Sequence, residues 1–463
     1  MKIQEYKNIC KYSDTVLLSK KSNHITHAIS HLHVLKEHPE FIRQYSNIPI
    51  KNLKKNNFFS KIIIFFFYFF LEKKNFYKKK NETKTDKVDF LIISPLINSK
   101  FLNLKEDFYF GAIEEKLKKK FKLAVVLRNF TNIRSKKLFD KLKNNNRIIL
   151  SSRSDIFSEI SFIFLLLSEY IYFKINFKYF KHLSILDFTS NITNLRLVKQ
   201  VIEIIKITNP RIVLFTFEGH AWERVLNKAI KNYSKKILTA GYQFTVTTQH
   251  QHSLFRPLKL GYNPDYIFTT GEITKKKFID KYKRKVVAVE TIGSNKFTKI
   301  DKKKHLRNSI LIVPEAFESE TKKMLQFSID SAGTFPNKKF IFRMHPMYSK
   351  FSILSKTILP ENLIISKQSL NKDMEESRFL IFRGSAVAFQ ACMNDILPIY
   401  LKSKNELNFN PMYEVFPNIL NIKTTTDLKK IFLNKKLNKH RLVLKKFSNK
   451  FFQKNNFKFL AKI

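Results

Sequence analysis

The chain has 463 residues, too many for one domain of ordinary size, and 44% of them are hydrophobic, enough for more than one core. Its 86 Lys and Arg stand against 37 Asp and Glu, a net charge of +49, which excludes a surface indifferent to anions. Two cysteines, Cys10 and Cys392, far apart and without metal spacing, exclude a disulfide scaffold and fit a reducing cytoplasm.

The charge points to nucleic acid, an acidic membrane face or a phosphorylated substrate. An AT-rich genome is a competing source, because Lys, Asn, Ile and Phe crowd the chain and glycine is scarce, at 8 residues. Glycines that remain under such a bias mark places where the backbone needs them.

Residues 1–86 read as an appended, mostly helical, basic and Phe-rich extension. "MKIQEYKNICKYSD" is polar and shows no secretory signal. The apolar run Ile62 to Leu71 is about half the ~20 residues of a spanning helix. Lys54, Lys55 and Lys61 precede it, and Lys73, Lys74 and Lys78 to Lys80 follow it. That pattern suits a segment lying on an anionic inner leaflet; a core helix with basic flanks is the alternative.

After a linker at "KKKNETKTDK", strands and helices alternate. Val88 to Ser94 reads as a buried strand closed by Pro95, "EDFYFGAIEEKLKKKF" as a helix and "LAVVLRNF" as a strand. A helix at Ser135 to Leu142, the strand "RIIL", a long apolar helix at Ser154 to Tyr179 and a helix at Leu195 to Ile207 follow. Then come the strand "RIVLFTF", the helix "HAWERVLNKAIKNY" and the strand "KKILTAGYQ". The pattern restarts with "DYIFTTG", "EITKKKFIDKY" and "VVAVETIG". It continues through "SILIVPEA", "SETKKMLQFSIDSAG", "KFIFRMHP", "NLIIS", "RFLIF", "AVAFQACMND" and "LPIYL". Basic helices from about Asp427 end the chain. The fold class is therefore α/β: two Rossmann-like doubly wound domains facing a cleft, with a helical N-terminal extension. The expected divisions are 1–86, 87–262 as an acceptor domain, 263–425 as a nucleotide domain, and 426–463.

Four strand ends hold the candidate residues, where open α/β sheets bind ligands. In "FTFEGHAWE", Gly219 lets the chain turn, leaving Glu218 and His220 at the strand terminus and Trp222 and Glu223 on the next helix. Glu218 there can act as a general base or simply cap the helix. In "TAGYQFTVTTQHQH", Tyr242, Gln243, His250 and His252 form a polar loop able to hold a sugar; no acid lies close to the histidines, which weighs against a metal. "FIFRMHP" delivers Arg343 and His345 to a strand end, suited to phosphates or to plain loop positions. "FLIFRGSAVAFQ" presents Arg383, Gly384 and Ser385 before a helix, with Gln390 able to reach a ribose hydroxyl. Neither a P-loop nor a dinucleotide fingerprint is present.

"RMHP" followed by "FRGSAVAFQACMNDILPIYL" resembles the C-terminal half of GT-B-fold transferases that build bacterial surface polysaccharides. Similar motifs recur in polysialyltransferases, capsule Kdo transferases and glycerophosphotransferases of teichoic acid synthesis. "FEG" resembles the end of the acid-acid-glycine motif of the polysialyltransferases. "HLHVLKEHPEF" and the order "EGHAWE", "GYQ", "RMHP", "RGS" are similar to a group of surface carbohydrate biosynthesis proteins. The match runs from Val88 to Leu401 through short motifs. Phe217 replaces the first acid, Gln390 a ribose-binding glutamate, and Asp395 a glycine.

The resemblance implies a glycosyltransferase with a CMP- or CDP-activated donor and no metal or other cofactor. Glu218 would deprotonate a glycan acceptor. Arg343, His345, Arg383, Gly384, Ser385 and Gln390 would hold the nucleotide, and His220, Trp222, Glu223, Tyr242 and Gln243 the acceptor. The enzyme would sit in the cytoplasm, peripheral on the inner membrane face. Nucleic-acid binding is an alternative that the scattered lysines and missing motifs disfavour. An inactive GT-B-like scaffold is the other.

Overall fold

The structure is a computed structural model. It describes residues 3–38, 75–79, 87–143, 146–176, 191–259, 261–297, 300, 308–346, 358–404, 406–434 and 436–459. The Ile62–Leu71 run lies outside them.

Two sheets organise the chain. The first has eight strands: β1 (Phe76–Lys78), β2 (Phe90–Leu96), β3 (Leu123–Asn129), β4 (Arg147–Leu150), β5 (Ile212–Thr216), β6 (Leu238–Gln243), β7 (Tyr266–Thr269) and β8 (Ala288–Thr291). Their order is β1-β4-β3-β2-β5-β6-β7-β8. All pairs are parallel except β1 with β4. The second has six parallel strands: β9 (Ser309–Val313), β10 (Phe340–Phe342), β11 (Leu363–Ile365), β12 (Ser377–Phe382), β13 (Leu397–Leu401) and β14 (Leu420–Ile422). Its order, β11-β10-β9-β12-β13-β14, reverses between β9 and β12, as the first reverses between β2 and β5. Both are the doubly wound arrangement that the strand-helix alternation predicts, and sheets of this kind bind ligands in the crevice at that reversal.

The apolar runs explain the burial. In the first sheet, Leu91, Ile93, Val126, Val213 and Phe215 enter one core, while Phe90, Ile92, Val125, Ile212 and Leu214 enter another. Successive side chains of a strand point to opposite faces, so one run of residues fills both layers.

Three expected boundaries shift. β7 and β8 continue the first sheet through Thr291, so the division at 262 falls inside it. The first 38 residues are not appended. Val16, Leu17, Ile25 and Ile29 share a core with Leu166, Leu195, Val225 and Leu258, so this segment is part of the first domain. Within 1–86, β1 is a strand rather than helix. At the other end, the helix Asn438–Phe451 packs Leu444 and Phe451 into the second core, and the chain then returns to the first domain. There the Gln453 N–H donates to Thr270 O (2.9 Å), the Ser294 N–H donates to Gln453 O (3.0 Å), and Phe457 and Phe459 cover the first core.

The N-terminal segment carries histidines that cannot easily be charged. Burial pushes His27 down to about 3, and the Arg256 and Arg224 charges add to this. Burial also holds His38, stacked on Phe317 at 4.5 Å, at about 4. Their folded values lie below the ordinary value near 6.5, so the unfolded chain takes up more protons as acid is added. The contribution of these two histidines is complete above about pH 6.5 and falls as the pH drops toward 4. The thermal midpoint should decline over that window, and His38→Phe should make the decline shallower; an unchanged slope would remove His38 from this account.

Candidate functional site

The turn after β5 explains the glycine in "FTFEGHAWE". Gly219 has φ +86, and a Cβ there would lie 2.6 Å from Leu254 N, so a side chain is both strained and blocked. The chain then enters the helix Ala221–Tyr233. Glu223 in its first turn accepts the backbone N–H groups of Glu218 (2.9 Å), Gly219 (2.7 Å) and His220 (2.9 Å). It is therefore the cap of this turn rather than an acceptor ligand. Burial raises it to about 7, with the Glu218 charge adding to the effect.

That cap leaves Glu218 free to face the cleft. Its Oε2 lies 3.6 Å from His220 Nε2, and its Oε1 accepts from Thr245 Oγ1 at 2.9 Å. Burial works to raise Glu218, but the His220 contact, the Thr245 bond and the Lys36 charge outweigh it and hold the carboxyl below its ordinary value. Burial works to lower His220, yet the Glu218 and Glu223 carboxylates raise it. The His220 side chain remains 36% exposed. Phe217, where the resemblance places a further acid, is wholly buried with the Arg224 guanidinium over its ring at 4.8 Å.

Three residues that the motif reading did not single out complete the site. Lys296, in the linker between the sheets, donates to Phe244 O at 3.1 Å. Burial lowers it to about 8 against the opposing Glu218 charge. Glu315, two residues past the end of β9, lies 3.3 Å from Lys36 Nζ of the N-terminal segment. Burial would raise Glu315; the Lys36 charge lowers it instead. Its Oε1 is buried with no hydrogen-bond donor among the described residues. Gly384 makes room for it, since a Cβ there would fall 1.5 Å from that oxygen. His345, past β10, is pushed down to about 4 by burial; Glu315 opposes this and Lys296 adds to it. The signal for Glu315 was available, since "SILIVPEA" ends like the other candidate strands. Lys36 and Lys296 lie in no strand-end motif.

The structure gives the other expected residues different work. Arg343 donates to Asp373 Oδ2 (2.7 Å) and Gln368 O (2.8 Å). Arg383 is buried between Glu320 and Glu406, donates to Leu401 O at 2.8 Å and covers Phe409. Both guanidiniums are thus engaged within the second domain. Ser385 Oγ accepts the Val387 N–H (3.3 Å) at the start of a seven-residue helix, in which Gln390 is buried. Asp395 adopts φ +62, the left-handed geometry that a glycine would take there. Trp222 packs edge-on to Phe215, and Tyr242 donates to Gly293 O (3.0 Å); both are core positions. Gln243 is buried and donates to Thr245 O. His250 offers its backbone to Tyr6 and Glu37, and His252 pairs with Asp14 at 2.8 Å. These two histidines anchor the N-terminal segment.

No protein-family model matches the chain, and no curated protein matches it. Among solved structures it is similar to a UDP-GlcNAc 2-epimerase of Methanocaldococcus jannaschii, solved with UDP-GlcNAc and UDP. That likeness has 12% identity, TM-score 0.48, and covers 75% of this chain and 94% of that one. It is also similar to the glycotransferase of kitacinnamycin (8%, TM-score 0.47, covering 78% and 94%). A UDP-forming trehalose-phosphate synthase from Burkholderia xenovorans matches at 11%, with TM-score 0.42 and coverage of 78% and 94%. At these levels the likeness says nothing of activity, and the chemistry is read from the cleft itself.

The two arginines can be separated by stability and binding. Arg383→Ala leaves Glu320 and Glu406 without their buried cation and should cost about 3–5 kcal/mol in urea unfolding. Arg343→Ala, with Asp373 still bonded by Ser366 Oγ, should cost about 2 kcal/mol. Arg343→Ala should leave nucleotide affinity intact; a large loss of affinity in a folded variant would return Arg343 to the site.

Proposed function

We propose that the protein is a glycosyltransferase. It moves a sugar from a nucleotide-activated donor to a hydroxyl of a growing surface polysaccharide or lipid-linked glycan. The observation that carries this reading is the meeting of two crevices. Glu218 at the reversal of the first sheet and Glu315 at the reversal of the second both feel Lys36, and Glu218 and His345 both feel Lys296. Titratable groups perturbed by burial and specific charges, converging between two domains, mark a site that handles charge.

Glu218 is ionised at neutral pH and accepts the proton of the acceptor hydroxyl. The freed oxygen attacks the anomeric carbon, the bond from that carbon to the nucleotide phosphate oxygen breaks, and the phosphate leaves with the electron pair. Lys296, a cation below about pH 8, and His345, a neutral hydrogen-bonding group at pH 7, face the departing phosphate. The unsatisfied Glu315 Oε1 can accept from a donor hydroxyl. The motif resemblance favours a cytidine nucleotide. The reading includes a cytoplasmic location, peripheral on the inner membrane face, where such acceptors are reached.

Thermal stabilisation by CMP, CDP, UDP, GDP and a random oligonucleotide tests the binding step. One pyrimidine nucleotide should stabilise wild type and Glu218→Gln but not His345→Ala or Lys296→Ala. With that donor class, Glu218→Gln should lower transfer by about 10²–10⁴-fold. Stabilisation by the oligonucleotide alone, equal in every variant, would overturn the reading.

A further inference from the structure

The helix Ile156–Asn176 is built inside out for a water-facing surface. Its acids point inward. Glu159 is fully buried in a bidentate pair with Arg196 (2.5 and 2.6 Å), and Glu169 is buried against Thr26 Oγ1 at 2.5 Å. Its apolar residues point both ways. Leu166 and Phe173 enter the core beside the N-terminal segment. Phe157 (82% exposed), Ile160, Phe164 (67%), Leu165, Ile171 and Ile175 (77%) face outward. Phe157, Ile160, Phe164, Ile171 and Ile175 are separated by three, four, seven and four residues, so they lie along one side of a helix about 30 Å long, with Leu165 beside them. A stripe this long on a soluble surface marks an interaction site.

The occupant follows from charge. The chain carries +49, which opposes a second copy and favours an anionic partner. Lys20, Lys21 and the exposed Leu18 lie in the turn entering His24–Ala28, a helix bonded to Ile156–Asn176 through Thr26. Lys206 and Ile207 are exposed on Ile192–Thr208, whose Arg196 holds Glu159. Apolar and basic groups thus share the surface of one lobe. By length and composition the helix could cross a bilayer. Its inner face, however, is packed in the first domain, which suits a helix lying along a bilayer rather than through it.

We infer that the outward face of Ile156–Asn176 docks the first domain flat on an anionic lipid bilayer, with Phe157, Phe164, Ile171 and Ile175 entering the boundary between headgroups and acyl chains. This rests on the peripheral location proposed above and not on the transfer chemistry. It would bring the lobe that carries Glu218 close to lipid-linked acceptors.

Co-sedimentation of the full chain with vesicles of phosphatidylglycerol and phosphatidylethanolamine, against phosphatidylcholine alone, tests it. Wild type should bind the anionic vesicles, less so in high salt. The double variant Phe164→Asp with Ile171→Asp should bind at least about tenfold more weakly at an unchanged thermal midpoint. Phe164→Trp gives a second readout: the emission of the introduced indole should shift to the blue and be quenched by brominated lipid, against the buried Trp222 as the other fluorophore. Equal binding by wild type and the double variant, or emission from Phe164→Trp unmoved by vesicles, removes this face while leaving peripheral binding in place. Failure of wild type to bind any vesicle removes both. Loss of a dimer in the double variant without lipid assigns the stripe to a second copy and overturns the inference.

Discussion

A parallel strand buried on both faces can expose polar groups only where it ends. Among the described residues, thirteen of the fourteen strands belong to parallel runs, and the apolar residues of the central ones fill layers above and below each sheet. Chemistry is thereby pushed to the carboxyl ends. The reversal of strand order decides which ends have open space beside them. Glu218 and Glu315 occupy those two positions, one per sheet. The tight turn at Gly219 and the missing side chain at Gly384 are local consequences. One lets a carboxylate leave the strand sharply, and the other leaves room for a carboxylate against the backbone.

Buried charge is the second organising constraint. Desolvating an ion is costly unless partners surround it. The wholly buried guanidiniums meet that condition within the protein. Arg224 bonds Asn263, Ser253 O, Arg256 O and Tyr282, while Arg383 lies between two glutamates. Cations held so firmly position the fold rather than meet a ligand. Lys36 and Lys296 differ. Each is drawn toward carboxylates by charge, and Lys296 Nζ donates to the Phe244 carbonyl and lies over the Phe244 and Phe452 rings. The N-terminal segment therefore does two jobs with one short run of residues: Val34 and Glu37 tie into the first domain while Lys36 reaches across to the second.

Much of this was legible beforehand. The strand-helix alternation and the apolar runs predicted both sheets, because burial on two faces needs residues without polar atoms. The motif "FTFEGHAWE" read correctly as a turn, because a glycine kept in a glycine-poor chain marks a backbone demand. Glu223 and Arg383 read less well. An acid in a first helical turn and an arginine at a strand end look alike whether they cap, pair or bind, and only the neighbours tell. Glu320 and Glu406, which engage Arg383, lie 63 and 23 residues away in the chain. Periodicity does not record such distances.

The residues by themselves determined the α/β class, the order of the elements and the strand ends where function could reside, since these follow from local pattern and from chain connectivity. The tertiary structure alone decided that Phe217 packs against Arg224, that Asp395 takes a glycine's conformation, and that a helix from the first domain turns its apolar side outward. It alone brought Lys36, Glu218, Lys296, Glu315 and His345 close enough to feel one another's charge. Their grouping depends on how two sheets and a returning C-terminal segment pack, and on which charges burial forces together.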